Sequence, residues 1–367
     1  MGDQPSAAPA PNGLSNDVLL VTIPVPVNEA WIAKIKALHP GFQVRWVTEP
    51  FGDRSGPPSK ESSLPQEMYE DVTMLFTFRN HPAEMLPKLR FVQLISAGAD
   101  KWINHELYKD PNITFCTANG AHSPQIAEWV IGTWLMANHH LVAYADMQKQ
   151  KKFSPTTLFA QDSPGLRMGI LGYGAIGRQV AKVAQSLGME VYAYTRSEKS
   201  TPESRKDDSY CVPGTGDPDG LVPAKWFHGA SKAAVNNFLA QDLDILVLSL
   251  PLTEATTHII GREQLAILSV KKTFVSNISR GKHIDTDALL DALNEGKIRG
   301  AALDVSDPEP LPDDHPLFSA PNVFVTPHIS WQTPQLFPRV LEILERNLES
   351  LGTGKPLINV VNREHHY

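Results

Sequence analysis

The six residues Gly172-Tyr173-Gly174-Ala175-Ile176-Gly177 follow directly on the apolar run Met168-Gly169-Ile170-Leu171. No other stretch restricts the fold of this chain as much. The first glycine permits a tight turn, the second lets the backbone approach a pyrophosphate, and the third lets a helix pack closely on a strand. The turn stands between an expected strand and an expected helix, Arg178 to Leu187, capped by Gly188, whose first amides can hold phosphates. The pattern therefore predicts a strand–helix–strand unit of a parallel sheet, with Tyr173, Ala175 and Ile176 between the glycines at a dinucleotide.

Glu190 to Thr195 is the expected next strand, and the residue at its end selects the dinucleotide. A carboxylate there binds the ribose 2′-hydroxyl of NAD, whereas an arginine accommodates the 2′-phosphate of NADP. Thr195 stands eighteen residues past Gly177, Arg196 and Ser197 follow it, and no acid occurs before Glu198. Charge complementarity favours NADP(H), with NAD(H) as the alternative; Arg196 forks the phosphate while Thr195 and Ser197 donate hydroxyls.

Three further phrases carry polar side chains: Asn277-Ile278-Ser279-Arg280-Gly281, Leu303-Asp304-Val305-Ser306-Asp307-Pro308-Glu309, and Thr326-Pro327-His328-Ile329-Ser330-Trp331. A 2-oxo acid presents a carboxylate beside a polarised carbonyl, and arginine offers a rigid, permanently charged fork for it. Hydride arriving at C2 leaves an alkoxide, which histidine can protonate near neutral pH. A carboxylate on the imidazole fixes its tautomer and favours the charged form. A dinucleotide site followed by a cation, a carboxylate and an imidazole holds the parts for moving a hydride and a proton onto such a carbonyl, which makes Arg280, Glu309 and His328 the candidate catalytic residues. Trp331 is expected to wall the pocket or to pack at a subunit contact.

Elsewhere, strands are expected over 17–23, 43–47, 73–78, 91–95 and 113–117, alternating with helices such as 29–38. That alternation predicts a parallel sheet with helices on both faces. Ser123 and Pro124 read as the cap and first residue of a long helix that is apolar on nearly every side, expected at the junction of two domains. Residues 198–223 are rich in Ser, Pro, Gly, Asp and Lys without an apolar period, and read as a surface insertion; Lys199, Arg205 or Lys206 within it is a candidate to reach the 2′-phosphate.

With 367 residues the chain has room for two cores. A net charge of −7 without a basic run gives no nucleic-acid footprint. Cys116 and Cys211 are too few for a disulfide framework or a cysteine-rich zinc site, so no metal is expected and a reducing compartment fits. No apolar run has the length of a membrane span, and the start of the chain lacks a signal-peptide plan, so the expected location is cytoplasmic. The opening segment to residue 16 reads as a disordered tail.

Together with Ser249-Leu250-Pro251-Leu252-Thr253-Glu254-Ala255-Thr256 and Gly300-Ala301-Ala302-Leu303-Asp304-Val305, these phrases resemble the D-isomer-specific 2-hydroxyacid dehydrogenases, densely from Phe91 to Thr333. The resemblance implies an α/β protein of two Rossmann-like domains. A doubly wound nucleotide-binding domain, residues 141–333, is inserted in a flavodoxin-like split catalytic domain, residues 17–140 and 334–367. It implies that Arg280 binds the substrate carboxylate and carbonyl, His328 transfers the proton and Glu309 supports it. Ser96, Ala97 and Gly98 would hold the carboxylate through their amides, and Asp304 would face the nicotinamide carboxamide. Leu250, Pro251, Thr256, Ile278, Ser279 and Ser330 would line the cofactor. A small 2-oxo acid or D-2-hydroxy acid as substrate, glyoxylate or hydroxypyruvate first, and a homodimer follow from the same resemblance. Two alternatives share the fold: a dinucleotide-sensing corepressor without turnover, and an NAD-dependent dehydrogenase. Glu309 argues against a formate dehydrogenase, where glutamine typically stands beside the histidine.

Overall fold

The computed structural model describes residues 13–50, 61–62, 64–154, 158–364 and 366. The chain divides into two compact units, Met1–Ala121 with Pro334–Tyr367, and His122–Thr333. Of the expected disordered tail, residues 1–12 lie outside the described ones. Residues 13–16 form a turn in which Leu14 is buried and its carbonyl accepts the Asp17 amide at 3.0 Å. An apolar side chain with a site in the core does not stay in solvent.

The first unit holds β1 (Val18–Ile23), α1 (Glu29–Leu38), β2 (Gln43–Thr48), β3 (Met74–Thr77), β4 (Phe91–Leu94), α2 (Glu106–Lys109) and β5 (Thr114–Cys116). Its five-stranded parallel sheet runs β2-β1-β3-β4-β5. Alternate residues of its strands (Val18, Leu20, Leu75, Val92, Leu94, Phe115) share one cluster with Trp102, Leu107 and Tyr108.

The second unit opens with α3 (Ser123–Asn138) and α4 (Leu141–Lys149). It continues through β6 (Arg167–Leu171), α5 (Ala175–Ser186), β7 (Glu190–Thr195), α6 (Pro202–Arg205), β8 (Lys225–His228), α7 (Lys232–Leu239) and β9 (Ile245–Leu248). The last elements of this unit are α8 (Arg262–Ser269), β10 (Phe274–Asn277), α9 (Thr286–Asn294), β11 (Gly300–Leu303) and β12 (Val323–Val325). The seven-stranded parallel sheet has the order β12-β11-β10-β9-β6-β7-β8. Side chains alternate across it with period two. Leu246 and Leu248 of β9 meet α7, α8 and α9 on one face, while Ile245 and Val247 meet α3 and α5 on the other. This is the doubly wound arrangement, and the strand order reverses beside β6, where such sheets bind their ligands.

Two expectations differ here. Helix α3 packs inside the second unit, Ile126, Val130 and Trp134 lying against Met168, Ile170 and Val180, so the break in the chain falls at 121/122 instead of 140/141. His122, not Ser123, is its N-terminal flanking residue, and Ser123 is already helical, with a buried hydroxyl that finds no partner among the described residues. The final helix, α10 (Leu336–Thr353), belongs to the first unit. Its buried Asn347 donates to Gln93 Oε1 at 2.9 Å and accepts the Ile358 amide at 2.8 Å.

Candidate active site

The phosphate turn is shaped by three glycines with three different surroundings. A Cβ on Gly172, whose φ is +103°, would stand 2.3 Å from the Ser249 carbonyl oxygen, and one on Gly177 would stand 2.4 Å from the Gly172 carbonyl oxygen. Both positions exclude a side chain because β9 and the turn itself press on them. At Gly174 a Cβ would meet nothing within 4 Å. The open space there is where a pyrophosphate fits, beside the unpaired amides that begin α5. The residues present therefore suit a dinucleotide.

Past β7, Thr195 Oγ1 donates to the Ser197 carbonyl at 2.7 Å, which folds the following turn. Arg196 is exposed, and among the described residues its side chain makes no ion pair. Arg205, one of the cations expected to reach outward, instead donates through Nε to the Lys199 carbonyl at 2.9 Å and lies over the Trp226 ring.

Arg280, Glu309 and His328 follow β10, β11 and β12, three neighbouring parallel strands, so the topology alone delivers them to one sheet edge. Two strand steps span about 10 Å. Gly281 brings the first two loops together, since a Cβ there would lie 1.9 Å from the Ser306 carbonyl oxygen. Arg280 is half-buried and its Nη1 donates to the Ser279 carbonyl at 2.7 Å. Beneath it Asn277 binds both ends of the loop, donating to the Arg280 carbonyl at 2.9 Å and accepting the Ser279 amide at 3.1 Å.

His328 Nδ1 lies 2.8 Å from Glu309 Oε1, with the two side chains 31% and 41% exposed. A carboxylate on Nδ1 leaves Nε2 as the nitrogen that exchanges a proton with a substrate. The backbone of His328 is left-handed at φ +55°, a conformation that costs a non-glycine residue about 1–3 kcal/mol. Its surroundings impose it. Asp304, 1% exposed, accepts Thr326 Oγ1 at 2.6 Å and the Ile329 amide at 2.9 Å on one oxygen, and the Ser330 amide at 3.0 Å and hydroxyl at 2.5 Å on the other. Trp331 Nε1 donates to the His328 carbonyl at 2.8 Å.

Several of the expected site residues also make contacts within the fold. Asp304 has the roughly four acceptor positions of a carboxylate filled by the His328 turn, so it anchors that turn. Ser330 serves the same anchor. Trp331 packs against the α3 side of the core and steadies His328 by its indole N–H. Tyr173 is only 4% exposed and turns its hydroxyl inward to Asp217 Oδ2 at 2.8 Å, leaving its backbone alone for a phosphate. Thr256 closes its own turn on the Pro251 carbonyl at 2.9 Å. Ser279 bonds Asn277 at 2.9 Å and stands 2.8 Å from Nδ1 of the fully buried His283, whose Nε2 is 3.2 Å from the Pro251 carbonyl. Leu250 and Pro251 follow β9 and Ile278 follows β10, and Leu250 Cδ2 would stand 3.0 Å from a Cβ on Gly172 in the phosphate turn.

In the first unit, Ser96, Ala97 and Gly98 bend away from the end of β4, and among the described residues no backbone carbonyl takes their amides. Sequence reasoning missed Asp217, Arg178 and His283. Only Arg178 left a signal: a cation in the first turn of a helix opposes the helix dipole, and such a residue needs a partner.

Comparison with known proteins agrees with this geometry. Residues 131–213 and 222–330 match the D-isomer specific 2-hydroxyacid dehydrogenase, NAD binding domain. The hydroxypyruvate reductase of Blautia hydrogenotrophica is 31% identical over 287 residues, 76% of this chain and 80% of that protein. The glyoxylate/hydroxypyruvate reductase A of Arabidopsis thaliana is 32% identical over 282 residues, 75% and 79% of the two chains. A D-isomer specific 2-hydroxyacid dehydrogenase family protein from Aeromonas salmonicida superposes with a TM-score of 0.71 at 25% identity, covering 95% of this chain and 99% of that one. Because the matched segments carry all three polar phrases and the glycine turn, the chain belongs to the D-isomer specific 2-hydroxyacid dehydrogenase family, oxidoreductases that act on CH–OH groups with a nicotinamide dinucleotide.

Proposed function

We propose that this chain is an NADPH-preferring reductase of small 2-oxo acids, giving D-2-hydroxy acids, with glyoxylate and hydroxypyruvate as the first candidates. The observation that carries the reading is the His328–Glu309 pair at 2.8 Å on the sheet edge that also presents Arg280. The nicotinamide, when bound, supplies the hydride. Arg280 binds the substrate carboxylate and polarises the carbonyl. His328 gives its Nε2 proton to the oxygen as negative charge develops there, and Glu309 holds the imidazole in the tautomer and orientation this requires. The amides of Ser96, Ala97 and Gly98 are assigned to the substrate carboxylate on family resemblance, supported by the lack of backbone acceptors for them among the described residues. Arg196, exposed and followed by Ser197, with no acid at Thr195, supports the preference for the 2′-phosphate. Reduction follows from that preference, because cellular NADP is normally kept reduced. A homodimer completes the proposal on family resemblance, and a cytoplasmic location on the two free cysteines, which fit a reducing compartment.

Steady-state assay of a 2-oxo acid panel with NADPH and NADH tests it. Turnover of glyoxylate or hydroxypyruvate with a lower KM for NADPH is expected. No turnover with any member leaves the corepressor-like reading, and a preference for NADH removes the role of Arg196. His328→Ala is expected to lose about 10²–10⁴-fold in kcat with KM little changed, whereas Arg280→Ala raises KM as well. Wild-type kinetics in either variant would refute its assignment.

A further inference from the structure

Residues 201–221 do not behave as a loose surface insertion. Their contacts run to the dinucleotide turn and to the loop after β7. Asp217, 6% exposed, accepts the Tyr173 hydroxyl at 2.8 Å, and its own loop fixes it through the Leu221 and Val222 amides at 2.9 and 3.1 Å. Tyr173 stands between the first two glycines of the turn. Arg178, the first residue after the third glycine and 5% exposed, points its guanidinium into the insertion. It donates to the carbonyls of Asp217 and Arg205 and lies 3.2 Å from Asp207 Oδ2. Gln179 accepts the Gly216 amide at 2.6 Å and Lys182 donates to the Gly214 carbonyl at 2.9 Å, so three residues of α5 hold the segment. At its other end Arg205 Nε grips the Lys199 carbonyl at 2.9 Å, and Trp226 packs edge-on against Tyr173 at 5.0 Å.

We propose that segment 201–221 is a strap that holds the phosphate turn and the Arg196–Lys199 loop in the geometry that binds the dinucleotide, with Asp217 and Arg178 as positioning residues. The proposal rests on dinucleotide binding by this domain and goes beyond it, since residues 214–221, which include Asp217, fall outside the family match. Burial, and then the Asp217 carboxylate, push the Tyr173 hydroxyl well above its ordinary pKa, so it stays a donor throughout the working pH range. Loops ordered before the ligand arrives lose less entropy on binding, and the gain appears as affinity. Arg178 is drawn away from the pyrophosphate side by the strap, which leaves the helix amides to meet the phosphates.

Titration of NADPH fluorescence into the full chain reads this without turnover. Asp217→Ala is expected to weaken NADPH binding about tenfold, and Asp217→Asn, which keeps one acceptor for the loop amides, only about two- to threefold. Tyr173→Phe removes one hydroxyl and is expected to weaken binding about fivefold; its combination with Asp217→Ala is expected to be no weaker than Asp217→Ala alone, because the two act through one bond. These milder variants keep the test alive if Asp217→Ala does not fold. Unchanged NADPH affinity in folded variants, even with a lowered Tm, would reduce the strap to packing and overturn the proposal. If the wild-type chain bound neither NADPH nor NADH, the dinucleotide reading would fail and the strap with it.

Discussion

His328 carries out its proposed chemistry from a backbone conformation that histidine seldom adopts, and Asp304 is what keeps it there. The carboxylate grips the residues on both sides of it, Thr326, Ile329 and Ser330, while Trp331 grips its carbonyl. Removing the Asp304 charge should loosen the acid more than it loosens the fold. In Asp304→Asn the new NH2 group faces amide and hydroxyl donors, so a stability loss of about 1–3 kcal/mol is expected. The kcat for a 2-oxo acid should fall by about 10²-fold, with substrate KM changed far less. Thermal unfolding beside steady-state kinetics separates the two effects. A variant with lowered Tm and wild-type kcat would show that Asp304 does not orient the imidazole.

At the scale of elements, strand ends do the positioning in both units. In the first, β1 and β3 close on His81, which is fully buried, with Nε2 3.1 Å from both Thr22 Oγ1 and Thr77 Oγ1 and Nδ1 3.1 Å from the Tyr69 hydroxyl. Burial first, and then the charges of His105 and Arg79, lower its pKa from 6.5 to about 3. Between those values the unfolded chain binds a proton that the folded chain refuses, so stability falls as pH drops below 6.5 and continues to fall toward 3. Each pH unit in that window is worth at most about 1.4 kcal/mol from this group. His81→Gln should flatten the acid limb relative to wild type in urea unfolding at pH 4 to 7; parallel limbs would contradict the neutral, buried imidazole.

Elements with strong local periods were legible in the sequence. Helix α1 over 29–38 and β7 over 190–195 lie where apolar spacing and Pro40-Gly41 or Gly188 place them. Helix α4 buries no residue and left no period to read. The anchors of segment 201–221 were not legible for a different reason: Asp217 on Tyr173 and Arg178 on Asp207 join positions that are far apart in sequence and polar in type. The three polar phrases were legible because each follows a strand. The anchoring duty of Asp304 was not, since a carboxylate in a loop reads the same whether it meets ligand or backbone.

For the whole molecule the decisive fact is that one unit is a single stretch of chain and the other is not. Residues 122–333 carry two core clusters on the two faces of one sheet, built without help from the remaining residues. Expressed alone, that stretch is expected to melt cooperatively and to retain NADPH affinity; a fragment with no cooperative transition would mean its core is incomplete. The first unit takes its buried Asn347 from α10, and the Val361 amide donates to the Phe115 carbonyl at 2.9 Å. Residues 13–121 alone should therefore lack a stable sheet.

That split gives the molecule a schedule. On the ribosome, domains fold as their residues emerge, at about 5–20 residues per second. Here the stretch made first must wait for the stretch made last. The inserted unit can mature while β1 to β5 are still without Asn347, whose amide bonds Gln93 at 2.9 Å. For that interval the apolar strand residues Leu19, Leu75, Val92 and Phe115, all buried at the end, depend on chaperones or on speed. Slow translation across 122–333 would lengthen the wait, and synonymous codons that slow that stretch are expected to lower the yield of folded protein.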